Sequence, residues 1–133
     1  MKIFDYLQKA IKVLTPWNGS WALCGGIAAS LYRSTPRFTG DIDFMITNHL
    51  NSSAQSIAES VISNLGYKPI AGFIPDEKGK QIEGLVIGRE STSGSYVGID
   101  ILLPVLPWIE KAVIRAQTNK IDFGFQKLPT ITI

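Results

Sequence analysis

Cysteine is almost absent from this chain, with Cys24 standing alone among 133 residues. No internal disulfide can form, and a metal site built on several thiolates is excluded. Long apolar runs are also missing. None approaches the roughly 18 residues that a membrane span needs. The N-terminal stretch "MKIFDYLQKAIKVL" is interrupted by Asp5, Gln8 and Lys9, so it lacks the continuous apolar centre of a signal peptide. Nor is there a surplus of charge of one sign. The net charge is +2 and the basic residues are scattered, so charge alone argues neither for nucleic acid nor for a membrane partner. A reducing, cytoplasmic setting is the simplest expectation.

What is present is a globular balance, 45% apolar and 18% charged residues, long enough to enclose one core. A single domain over residues 1–133 is expected. Ile3, Leu7, Ile11 and Leu14 recur at helical spacing until Pro16, Asn18 and Gly19 stop them. Trp21 to Cys24 reads as a short buried strand, Ile27 to Tyr32 as a small-residue helix, and "DIDFMI" as a strand. Asn51 or Ser52 is the expected cap of a helix that Gly66 closes. Strands are expected over Tyr67 to Phe73, "QIEGLVIG" and "YVGIDILL", with turns at "PDEKGK" and "RESTSGS". Pro104 and Pro107 introduce a helix over Trp108 to Gln117, and strand-like runs 120–125 and 128–133 close the chain. Without regular βαβ alternation, this order favours an α/β (α+β) sheet of mixed direction.

Two aspartates stand one apart within "DIDFMI". In an extended strand Asp41 and Asp43 share a face, while Ile42 and Phe44 enter the opposite layer. Two carboxylates ~4 Å apart repel by about 4 kcal/mol at an effective dielectric of ~20. Either one takes a proton, or both face water, or a divalent cation shares them as magnesium is shared beside substrate phosphates. Asp100 lies among Ile99, Ile101, Leu102 and Leu103, where an unpaired carboxylate is costly. It is buried as the acid, bonded to an arginine such as Arg37 or Arg89, or it joins the other two acids at one metal site. Upstream, Gly25-Gly26 falls between a strand and a helix, where bare N–H groups can receive a phosphate.

The order strand, Gly-Gly, helix, Asp-x-Asp strand and later lone acid resembles the DNA-polymerase-β-like nucleotidyltransferases. The stretch "GGIAASLYRSTPRFTGDIDF", with Arg37, Thr39 and Asp41 at alternate positions, is most similar to the nucleotidyltransferase-type toxins of bacterial abortive-infection systems. The resemblance implies a nucleotidyltransferase fold, a mixed β-sheet with helices packed against it, ending before the C-terminal helices that relatives carry. It implies that Gly25 and Gly26 hold a nucleoside triphosphate, with Arg37 and Thr39 beside it. It also implies that Asp41, Asp43 and Asp100 are catalytic and bind two Mg2+ ions, Asp100 activating the acceptor hydroxyl. The acceptor class would be tRNA or other RNA, protein or a small molecule, and an antitoxin protein is the implied partner.

Other residues carry weaker signals. Arg37 clamps a triphosphate or neutralises the acids; Arg33 is a weaker version of the same. Thr39 orders its turn, Ser30 packs a helix, and Cys24 packs as a small hydrophobe. His49 reads as a surface or capping residue, and Trp17, Trp21 and Trp108 as core anchors. Lys111 and Arg115 form a solvated helix face. The rival readings are a truncated, non-catalytic nucleotide-binding or interaction module of the same fold, and a metal-dependent phosphohydrolase using the same acids.

Overall fold

The computed structural model describes residues 2–17, 19–25, 41–49, 53–89 and 97–131. The first helix, α1, spans Lys2–Leu14. It buries Ile3, Leu7, Ala10, Ile11 and Leu14 along one side, and Lys12 in the last turn suits the negative end of the helix dipole. At its end the Ile11 carbonyl accepts from both the Thr15 N–H and Thr15 Oγ1, each at 2.8 Å. Strand β1 is Trp21–Cys24 and β2 is Asp41–Ile46. The helix expected between them lies outside the described residues, as do Gly26, Ser30, Arg33, Arg37 and Thr39.

Helix α2, Ala54–Asn64, is capped by Ser53, not by the expected Asn51 or Ser52; its hydroxyl accepts from Ser56 N–H at 3.1 Å. Gly66, at φ +87°, turns the chain away after this helix as expected. The next strand starts later than the sequence suggests, as β3 over Ile70–Pro75. Tyr67 is held instead by its hydroxyl, which donates to the Val97 carbonyl at 2.7 Å, and its ring stacks on Tyr6. Strand β4, Gln81–Gly88, follows a turn in which Asp76 Oδ1 accepts from the N–H groups of Lys78 and Lys80. Strand β5 is Gly98–Leu102.

These strands form a five-stranded sheet in the order β1-β2-β5-β4-β3. Among these five strands β2 and β5 run parallel, and the other described pairings are antiparallel. The mixed direction expected from the sequence is therefore present. Helices α1 and α2 pack together over Ile42, Phe44, Ile46, Ile99 and Ile101, which form the main core.

Helix α3, Pro107–Ala116, packs on β1 and β2, yet its buried residues Ile109, Val113 and Ala116 stand apart from that core. It thus covers part of the second face. Trp108 is 53% exposed, so it is not the core anchor that its size suggested. Proline at the first helical position sets the phase, and the buried stripe at 109, 113 and 116 turns residue 108 outward. Strands β6, Lys120–Asp122, and β7, Lys127–Pro129, are shorter than expected and pair with each other. Thr130 then bridges to Leu23, and Ile131 N–H donates to the Leu23 carbonyl at 2.9 Å, covering the outer edge of β1.

Candidate active site

Strand alternation places the acids. Ile42, Phe44 and Ile46 are fully buried in the main core, so Asp41 and Asp43 project from the opposite, half-buried face. The parallel ladder then aligns Asp43 with Asp100 and Asp41 with Gly98. Residues paired in a sheet point to the same side, roughly 4.8 Å apart along the hydrogen-bonding direction. Asp43 and Asp100 are therefore lateral neighbours on two strands 57 positions apart in sequence. Asp41 lies one alternation further along the same face. Among the described residues no three His, Cys, Asp or Glu side chains close into a ready-made metal cage. What the fold brings together is a carboxylate pair with a third acid alongside.

The turn after β1 borders this pair. Cys24 pairs with Asp43 across the antiparallel ladder, and Gly25 follows at φ +68°. A Cβ on Gly25 would overlap the Asp43 carboxylate. Glycine is required here twice over, by the left-handed backbone and by the close carboxylate. Cys24, Gly25, Asp43, Asp100, Leu85 and Leu102 line a hollow of about 290 Å³. A larger one of about 510 Å³ lies beside α1, among Gln8, Lys12, Thr15 and Phe125, and has no acid in its lining. The smaller hollow is the one with chemistry.

The electrostatics follow from that crowding. Burial, then Asp100 and Asp41, push the Asp43 carboxyl up to about 6, against the opposing pull of Arg89. Burial, then Asp43 and Asp100, push the Cys24 thiol up to about 12, which disfavours the thiolate. Arg89, just past β4, answers Asp100. Its Nη1 lies 2.8 Å from Asp100 Oδ1, and its Nη2 donates to Oδ2 at 3.1 Å. Nη1 directs hydrogen bonds to the carbonyls of Gly88 and Ile99 at 3.0 and 3.4 Å. Oδ1 is consequently ion-paired and buried but accepts no hydrogen bond.

That orphaned oxygen, beside a second carboxylate, suits a hard divalent cation. Of the two arginines that the sequence offered to Asp100, Arg89 pairs with it, and Arg37 lies outside the described residues. Gly98 was missed. A Cβ there would come within 2.6 Å of Asp41 Oδ1 and 2.7 Å of Arg89 Nη1, so both side chains use the space that its missing side chain leaves. A glycine inside the apolar run "VGIDILL" was the available signal, since strand glycines often mark a close approach.

No helix among the described residues is long and apolar enough to cross a membrane. No curated protein matches the chain. A family model described as "Nucleotidyl transferase AbiEii toxin, Type IV TA system" matches residues 9–133. With the mixed sheet and the acids of β2 and β5 on one face, the chain belongs to this family of nucleotidyltransferase toxins from type IV toxin–antitoxin systems.

Proposed function

We propose that this chain transfers a nucleoside monophosphate from an NTP to a hydroxyl of RNA, protein or a small molecule, releasing pyrophosphate, in a reaction that depends on Mg2+. The observation that carries the reading is the lateral pairing of Asp43 with Asp100 beside the Gly25 turn. Asp41, Asp43 and Asp100 would hold the metal, two ions on the resemblance to polymerase-like transferases. Bound Mg2+ supplies charge stabilisation to the transferring phosphoryl group and lowers the cost of forming an attacking oxyanion.

The protein's own residues do the rest. Gly25 and Gly26 would offer backbone N–H groups to the phosphates, because no side chain keeps them away. Asp43, with a proton affinity raised towards neutrality, releases its proton readily when a cation approaches. Asp100, held by Arg89, would accept the acceptor's hydroxyl proton. Arg37 and Thr39 are proposed to contact the triphosphate. Leu85 and Leu102 supply an apolar wall that limits water. An antitoxin is the expected partner, given the family.

The experiment is incubation with each labelled NTP, Mg2+ and total cellular RNA or protein. Wild type should transfer label, and Asp43→Asn and Asp100→Asn should not. Equal labelling by all three proteins would refute the assignment.

A further inference from the structure

We infer that Arg89 is a resident counter-cation of the carboxylate site: it holds Asp100 while the site is metal-free, and a divalent ion must take over Asp100 Oδ1 from it. This inference rests on the metal-dependent reading above and adds a regulatory element to it.

Three observations carry it. The guanidinium sits 2.8 Å from Asp100 Oδ1, where a cation serving that oxygen would also sit. Yet Oδ1 accepts no hydrogen bond, because the donors of Nη1 are directed to the Gly88 and Ile99 carbonyls. Arg89 therefore contributes charge to Oδ1 and directional bonding only to Oδ2. An incoming ion could take up Oδ1, which no hydrogen bond occupies, beside a guanidinium still anchored to the Gly88 and Ile99 carbonyls. Gly98 makes the arrangement possible, since any side chain there would strike Arg89 Nη1 and Asp41 Oδ1 together. The glycine thus lets one cation approach the acids of both β2 and β5.

Charge sets the expected direction. A fixed positive group beside clustered carboxylates repels a divalent ion and compensates the carboxylates when none is bound. An arginine that only aligned a ligand would have the opposite effect on metal affinity. The two roles therefore separate in one titration.

The test is Mn2+ binding to the full chain, followed by electron paramagnetic resonance, with thermal unfolding in chelator and in Mn2+. Arg89→Gln should bind Mn2+ on the order of tenfold more tightly than wild type, melt lower in chelator, and recover its melting temperature in Mn2+. Arg89→Lys keeps the charge and should hold Mn2+ affinity within about twofold of wild type. Should Arg89→Gln fail to fold in chelator, the lysine variant decides. Tighter Mn2+ binding by the lysine variant would mean that geometry, not charge, matters, and would overturn the inference. So would an Arg89→Gln protein that folds and binds Mn2+ no better than wild type. Failure of every variant to bind millimolar Mn2+ would end the metal reading itself. Binding by Arg89→Gln alone would support both.

Discussion

Asp43 shows how one residue couples the site to stability. Its folded pKa of about 6 lies above the ordinary 3.8. Between these values the folded chain holds more proton than the unfolded one. The stabilisation from protonated Asp43 is therefore complete below about pH 4 and is lost as pH rises through about 6. Asp43→Asn removes the charge that causes the loss. In chelator at pH 8 it should melt a few degrees above wild type, of order 1 kcal/mol once solvent screening is allowed for, and its stability should depend less on pH from 4 to 7. Calorimetric scans across that range check both. A neighbouring residue gives the opposite result. Gly25→Ala forces a Cβ against the Asp43 carboxylate at a positive φ, so it should lower stability by roughly 1–3 kcal/mol and weaken metal binding with it. The three acids and Gly25 were named from the sequence, because like charges among apolar neighbours need a reason, whereas Gly98 was not. Arg89 was only one of two arginines named, since no local pattern tells which cation a fold will bring to a distant acid.

At the scale of elements, period and punctuation found the described strands and helices but not their ends, and the helix expected over Ile27 to Tyr32 lies outside the described residues. "NSS" offers three consecutive capping side chains, and propensity alone does not rank them. The structure uses Ser53 because Asn48 Oδ1 accepts from Ala54 N–H at 2.9 Å and fixes where the helix begins. Ser53→Ala should cost about 1 kcal/mol, seen as a modest shift in urea midpoint with unchanged slope. The last strands illustrate a different limit. Their alternation was visible, but their task of closing the β1 edge depends on a contact with Leu23 that local sequence does not encode. Leu128 is fully buried there, and Leu128→Ala should cost roughly 2–4 kcal/mol by leaving a cavity beside β1. A loss under 1 kcal/mol would mean that this segment only rests on the sheet.

At the scale of the whole molecule, the site exists because β5 inserts between β2 and β4. That insertion makes the parallel pairing of β2 with β5 and sets Asp43 against Asp100. Strand order is set by global packing of the α1–α2 layer, so it could be expected only from resemblance to a known fold. The resemblance to abortive-infection toxins pointed to the family that the chain belongs to. The part of the site between Gly26 and Gly40, with Arg37 and Thr39, lies outside the described residues and remains a proposal from that resemblance.

The central claim is that Asp43 and Asp100 act together as ligands of one metal site. Calorimetric titration of Mg2+ into wild type, Asp43→Asn and Asp100→Asn tests it most directly. Two carboxylates that share an ion predict measurable binding to wild type and a loss on the order of tenfold or more in each variant. Affinity that is unchanged in both variants would contradict a shared site.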